Sequence, residues 1–352
     1  MKNENLSSFG FADAFARRKS SRSALARPKK LHASLLTLLI FHFSLFTFHS
    51  STLPKNAKRR TFTVLTYNCE NAFDTLDTPG HSDESFLPQG EYHWSRWRYF
   101  RKLQRMAQVI LAADTLKPLD IAILQEVETD TVLQHLLHRT QLAGMGYDYV
   151  MTDSRDERGI DVAIVYSPFT FQPLGHQTIG LSDTFLRTHN VSPTRDALHL
   201  WGLVYGGRDT LDILAVHMPS KLGGGEATRK RKEMTRLLET YVDSLLHHRR
   251  QPYIVMAGDF NDAPRRGVSG LTNLMQRKRG GSYKYQGRWE WIDQMQVSPL
   301  LEPFGSLHLL DLPYLLEDDT TWGGKKPFRT YLGPYYHGGY SDHLPVTLTL
   351  DW

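Results

Sequence analysis

Six apolar runs in this chain end on, or carry, side chains that bind metals or move protons. TFTVLTYN (61–68) ends on Asn68, LDIAILQE (119–126) on Glu126 and TLDILAVH (210–217) on His217. PYIVMAGDFN (252–261) closes with Asp259 and Asn261; Asp293 lies inside RWEWIDQMQVS (288–298); Asp342 and His343 precede LPVTLTL. One polar strand end is an ordinary solvent-facing turn, but six in one chain ask for another reading. Side chains mounted on rigid strands have the positional precision that catalysis needs.

The chemistry follows from residue type. Glu126 is the leading metal ligand, Asp342 can complete an acidic shell, and Asn68 can position a metal-bound water or a phosphate. Oxygen donors suit a hard cation, Mg2+ first, with Mn2+ or Ca2+ as alternatives. A zinc site is not expected, because there is one cysteine and no HExxH or CxxC spacing. In an extended strand Asp259 and Asn261 point the same way, so both can address one substrate. The Asp would align or deprotonate a water and the Asn would donate to a phosphoryl oxygen; the alternative is an Asx-turn that merely closes the strand. His343 is the acid–base candidate, with Asp293 to orient it. His217 would contact a phosphate oxygen, or else be a packed turn histidine. In HMPSKLGGGEATRKRK (217–232), Ser220, Lys221 and three glycines precede a helix, an arrangement that can receive an anion, although the P-loop order is absent. Arg195 and Arg158 are further phosphate contacts or surface salt bridges. Cys69 reads as a packed strand-end thiol, and His337 as loop material.

These residues need a scaffold of buried strands. WRYFRKLQRMAQVILAADT (97–115), DTVLQHLLHRTQLA (130–143) and residues 226–250 have helical spacing, and YDYVM, IDVAIVY and ALHLWGLVY read as further strands. Apolar strands need cover on both faces, and many neighbours are hairpin-compatible. The expectation is an α/β fold with two packed mixed sheets under outer helices. Residues 74–96 and 262–287 read as surface excursions near the site.

Hydrophobic residues make up 40% of the chain, which supports a globular fold. The net charge of +5 conceals an asymmetry: residues 1–60 carry 12 Lys/Arg against 2 Asp/Glu, and the remainder 30 against 35. The basic balance therefore belongs to the N-terminal extension and gives no general argument for nucleic-acid binding by the body. Within that extension a basic stretch (17–30) precedes an apolar run from Leu35 to Phe48, the pattern of an export signal or a short membrane anchor. Residues 1–60 are thus expected to be an address plus linker, and 61–352 one catalytic domain, exported or membrane-anchored and monomeric.

TYNCEN (66–71), ILQEVE (123–128), RGIDVAIVY (158–166), HMPSK (217–221), GDFND (258–262), WIDQMQVS (291–298) and SDHLPV (341–346) occur in an order and spacing that resemble the endonuclease/exonuclease/phosphatase superfamily, the deoxyribonuclease I-like group. The resemblance spans roughly 61–352. It implies a four-layered α/β/β/α sandwich with the site at the top of two central sheets, and divalent-metal-dependent phosphoester hydrolysis. By the same resemblance Asn68 and Glu126 match the family's Asn and metal-binding Glu, and His217 the first phosphate-contacting histidine. Asp259 and Asn261 match the water-activating Asp and its phosphate-binding Asn. Asp293 matches the partner of the final histidine, and Asp342-His343 the terminal Asp-His. Glu157 is a loose match to a Glu that orients the first histidine. The expected reaction is phosphodiester cleavage of endonuclease type on DNA or RNA; an extracytoplasmic phosphatase, or a sphingomyelinase- or phosphoinositide-type enzyme, is the alternative. RKRGGSYKYQGRW (277–289) favours nucleic acid, and TWGGKKPFRTYLGPYYHGGY (321–340) could stack on bases or meet a lipid interface.

Overall fold

The structure is a computed structural model, and it describes residues 60–264 and 267–352. The export or anchor segment and most of the linker lie outside the described residues. Arg59–Trp352 forms one compact unit. Among the described residues no helix is long and apolar enough to cross a membrane.

The first six-stranded sheet contains β1 (Thr61–Ala72), β2 (Ile121–Val127), β3 (Asp148–Met151) and β4 (Asp161–Tyr166). The second holds β5 (Phe171–Ile179), β6 (Ala197–Val204), β7 (Thr210–His217), β8 (Tyr253–Asp259), β9 (Thr272–Asn273) and β10 (Asp293–Val297). Then β11 (Gly305–Leu309) and β12 (Val346–Asp351) return to the first. The strand orders are β11-β12-β1-β2-β4-β3 and β5-β6-β7-β8-β10-β9. Both sheets are mixed: β1 with β2 and β7 with β8 run parallel, and their other neighbours antiparallel.

Alternation along each strand builds the layers. Phe62 and Val64 of β1, Ile121 and Ile123 of β2, Ile213 and Ala215 of β7, Val255 and Ala257 of β8, and Met295 and Val297 of β10 share one core between the sheets. The opposite face of β1 and β2, through Leu65, Tyr67, Ala122 and Leu124, meets α1 (Arg96–Ala112) and α2 (Asp130–His138). The outer face of the second sheet, through Leu214, Val216, Ile254 and Met256, is covered by α3 (Asp183–His189) and Met234, Leu238 and Val242 of α4 (Gly224–His248). This is the expected α/β/β/α sandwich.

Several local expectations need correction. The second helix stops at His138 rather than 143: Arg139 leaves helical geometry, and the Thr140 hydroxyl donates back to the Leu136 carbonyl at 2.6 Å. RWEWIDQMQVS is not one strand; it breaks at Trp291-Ile292, where the Ile292 carbonyl accepts the Phe260 N–H at 2.8 Å. The edge strand β5 escaped notice because most of its side chains are solvated, which leaves no apolar run to read. Residues 74–96 are more than a surface excursion. Trp94 is fully buried and donates its indole N–H to the Phe73 carbonyl at 2.9 Å, while Phe86 stacks on Phe73.

Candidate functional site

The parity that fills the inter-sheet core also aims the polar strand ends. Asn68 has the parity of Phe62 and Val64, His217 that of Ile213 and Ala215, Asp259 that of Val255 and Ala257, and Asp293 that of Met295 and Val297. All four therefore emerge between the sheets. Register aligns them across the second sheet, where His217 is opposite Asp259 and Asp259 opposite Asp293. The two sheets meet where the Asn68 amide donates to Asp259 Oδ2 at 3.1 Å.

Glu126 reaches the same place by another route. Regular alternation would put it on the helix-facing side, next to Gln125, which points inward to Thr66. A left-handed φ of 61° at Glu126 and a register shift against β1 turn its carboxylate toward the site. Oε2 accepts the Asn71 N–H at 2.9 Å, and Oε1 stands 3.9 Å from His217 Nε2. A non-glycine residue held at positive φ is uncommon and marks a constrained position.

Asp259 and Asn261 converge, but not as successive members of an extended strand. β8 ends at Asp259, and Asn261 is left-handed at φ 49°. The Asn261 N–H donates to Asp259 Oδ1 at 2.8 Å, which is the Asx-turn alternative, and its amide reaches Asp259 Oδ2 at 3.3 Å and the Met218 carbonyl at 2.9 Å. Burial first, opposed by His343 and reinforced by Asp293, pushes the Asp259 carboxyl up to about 7. The conformation of β8 just before it depends on Gly258: at φ 149° a Cβ would sit 1.8 Å from the Val216 carbonyl oxygen.

His343 Nδ1 lies 2.7 Å from Asp293 Oδ2, which also accepts the Ser282 hydroxyl at 2.6 Å. Tyr283 packs on the imidazole with ring centroids 4.9 Å apart. Burial alone would lower the histidine pKa, but the carboxylates of Asp293, Asp342 and Asp259 outweigh it and hold His343 well above its usual range. His217 behaves oppositely: burial, then the charges of Arg195, Arg158 and His343, push it well below. It is a neutral imidazole, and its Nδ1 is buried without a hydrogen-bond partner among the described residues. Glu157 is exposed and does not orient it; the inward residue of that loop is Asp156.

The remaining candidates sit around this centre. Arg195 is buried, with its guanidinium committed to Asp156 at 3.1 Å and the Met218 carbonyl at 3.0 Å, so it braces the strand end that carries His217. Arg158 hydrogen-bonds Asn71. Lys221 lies at the rim, paired with Asp262 at 3.1 Å. Asp342 accepts Arg329 at 3.0 Å. Cys69 is a buried free thiol pushed up to about 12 by burial, which fits a packed side chain and not a nucleophile. His337 pairs with Glu317 in a loop.

Sequence reasoning missed the braces. Glu70, buried one residue past the thiol, accepts from Thr330 N–H at 2.6 Å and Arg329 Nε at 3.3 Å. Lys102, fully buried on α1, donates to the Thr330 hydroxyl and the Tyr340 carbonyl at 2.7 Å each. Together they tie down both ends of the loop that leads to Asp342 and His343. No local signal marked Glu70, which sits beside Asn68 and Asn71 in TYNCEN.

The donor set fits a hard cation. Glu126 and Asp342 supply carboxylate oxygens with side chains 15% and 19% exposed, and Glu126 Oε1 stands 3.9 Å from His217 Nε2, beyond hydrogen-bond distance. A second compact group, Asp259, Asp293 and His343, has ligand-type atoms within 4.8 Å of one another. There the 2.7 Å Nδ1–Oδ2 hydrogen bond and the raised histidine pKa favour a bound proton, so we read that group as proton-handling.

Comparison with known proteins identifies the family and the fold. Residues 63–352 match the Endonuclease/Exonuclease/phosphatase family. No curated protein sequence matches significantly. Among solved structures, an endonuclease/exonuclease/phosphatase from Bacteroides vulgatus superposes with a TM-score of 0.52 at 16% identity, covering 83% of this chain and 99% of that one. The mannosyl-6-phosphatase of Bacteroides thetaiotaomicron gives 0.50 at 19%, with 82% and 98% covered. The human Nocturnin catalytic domain gives 0.51 at 16%, with 83% and 94% covered. At these identities the likeness is one of fold.

Proposed function

Because the chain belongs to the endonuclease/exonuclease/phosphatase family, whose members are hydrolytic phosphoesterases, we propose that it is a divalent-metal-dependent phosphodiesterase of endonuclease type. The observation that carries this reading is the meeting of two differently tuned groups: Asp259, pushed up to about 7, and His343, held protonated by Asp293. A divalent cation held by Glu126 and Asp342, with Asn68 alongside, would neutralise phosphate charge and stabilise the departing oxygen. Asp259 is basic enough near neutral pH to take a proton from an attacking water. His343 donates from Nε2 toward a phosphoryl oxygen while Asp293 holds its Nδ1 proton. The neutral His217 offers a hydrogen bond without adding charge, and Asn261 fixes the Asp259 carboxylate.

The basic and apolar N-terminal run supports export or membrane anchoring of this activity.

The test is turnover by the 352-residue chain, with Mg2+, Mn2+ or Ca2+ and then with EDTA. Substrates are bis(p-nitrophenyl) phosphate, p-nitrophenyl phosphate, single- and double-stranded DNA, RNA, inositol phosphates and sphingomyelin. The reading expects diester cleavage that EDTA abolishes and that Glu126→Gln and His343→Ala each lower at least 100-fold. Cleavage of monoesters only, or metal-independent turnover, would overturn it.

A further inference from the structure

The segment 277–289, RKRGGSYKYQGRW, holds five basic residues, three aromatic ones and no acid, in a body that is otherwise net acidic. The catalytic constellation uses only its Ser282 and Tyr283. Tyr283–Tyr285 and Arg288–Glu290 form a two-stranded hairpin closed by Gln286 and Gly287, both at positive φ. Two successive positive-φ residues fit a tight hairpin turn.

The hairpin has two unequal faces. Lys284 and Trp289 oppose each other across the strands and so share one face. That face is fastened to the body. Lys284 Nζ lies 2.8 Å from Asp319 with both side chains nearly buried, and it also donates to the Gly323 carbonyl at 2.8 Å. Tyr283 and Tyr285 occupy the other face by strand alternation, with Arg288 opposite Tyr285. Tyr283 packs on His343, while Tyr285, about 7 Å further out at the usual strand rise, is 52% exposed. Arg277, Lys278 and Arg279 form an exposed basic turn just before Ser282. An aromatic strip thus starts on the catalytic histidine and ends in solvent between exposed cations.

We propose that this hairpin and the turn before it are a binding ledge for single-stranded nucleic acid: a base next to the scissile phosphate stacks on Tyr285, and the neighbouring phosphates meet Arg288 and the 277–279 turn. An exposed ring beside cations is the recurring device of single-strand binding, because every base has a face to stack and every linkage a charge to neutralise. The anchored face keeps the ring in register with His343. A duplex would hold its bases away from such a ring. This proposal deepens the phosphodiesterase reading and rests on it for the direction of the strand, but its test does not need turnover.

The experiment is fluorescence anisotropy of the 352-residue chain with a labelled single strand of about 12 nucleotides, DNA and RNA in turn, in EDTA so that nothing is cleaved. Tyr285→Ala should weaken binding on the order of 5- to 100-fold. The double variant Arg277→Ala/Lys278→Ala should flatten the log Kd against log salt slope by about 1.4, at about 0.7 per lost phosphate contact. Arg250, at the opposite end of β8, serves as the control, and Arg250→Ala should leave binding unchanged. Thermal melts confirm that the variants are folded. Binding insensitive to Tyr285→Ala, a slope unchanged in the double variant, duplex held as tightly as single strands, or affinity only for anionic vesicles would overturn the ledge. A failed ledge with intact diester hydrolysis spares the reaction class, and the reverse result condemns the reaction class alone.

Discussion

Asp293→Asn isolates the electrostatics of the site with almost no change in shape. Asp293 Oδ2 accepts both His343 Nδ1, at 2.7 Å, and the Ser282 hydroxyl, at 2.6 Å. An asparagine keeps both bonds by placing its oxygen there, which leaves its amide nitrogen at the Oδ1 position. In the native protein Oδ1 is buried without a partner, so the substitution exchanges one unsatisfied buried atom for another and removes a buried charge. The melting temperature should therefore move by only a few degrees. Catalysis should suffer more. Two unit charges at this separation interact by about 6 kcal/mol at an effective dielectric of 20, an upper bound before desolvation is counted. Hydrogen bonds to charged groups contribute about 1.5–3 kcal/mol net, so kcat/KM should fall by roughly 10- to 150-fold. The pH profile gives a second readout. The functional His343 carries its proton, and its pKa is raised mainly by Asp293, so activity is present below that pKa and lost as pH rises through it. In the variant that alkaline limb must move to lower pH. The assay is kcat/KM for bis(p-nitrophenyl) phosphate across pH at saturating Mg2+. A rate within threefold of wild type, with the alkaline limb unmoved and the fold intact, would refute the assignment of Asp293 as the group that keeps His343 charged.

Three further outcomes follow from packing and burial. Gly258→Ala puts a Cβ 1.8 Å from the Val216 carbonyl at a φ of 149°, so it should destabilise the fold by at least ~3 kcal/mol, or prevent folding, in chemical denaturation. Lys102→Met removes the buried donor to the Thr330 hydroxyl and leaves the Tyr340 carbonyl only the longer 3.3 Å bond from that hydroxyl; denaturation should show a loss of about 1–3 kcal/mol, and kinetics a raised KM as the loop bearing Asp342 loosens. Glu128, which burial pushes up to about 8, binds a proton more tightly when folded than unfolded; its contribution is complete below the unfolded value of about 4.3 and is lost as pH rises through 8, so melting curves of Glu128→Gln should decline less between those limits.

Much of this site was legible because a strand ties sequence parity to direction. Asn68 shares the parity of Phe62 and Val64, His217 and Asp259 each follow an alanine of the inter-sheet core by two places, and Asp293 precedes Met295 by two, so parity places all four on the buried inter-sheet face. Motif order then identified the family and the four-layered sandwich. Parity by itself does not account for the residues where local geometry departs from regular alternation. Glu126 would point to the helix layer were its φ not 61°, and Asn261 lies past the strand end in an Asx-turn. It failed also for Glu70, Lys102 and Arg329: Glu70 bonds Thr330 across 260 residues of chain, Glu70 and Arg329 meet across 259, and Lys102 bonds Tyr340 across 238.

The chain by itself determined residue chemistry and strand parity, since oxygen donors, a single cysteine and apolar alternation are properties of the sequence. Only the tertiary structure decided protonation. Asp259 and His343 are ordinary side chains until burial desolvates one and Asp293, fifty residues away, supplies a countercharge to the other. Desolvation and charge pairing depend on what surrounds a group in space, and no local stretch of sequence contains that information.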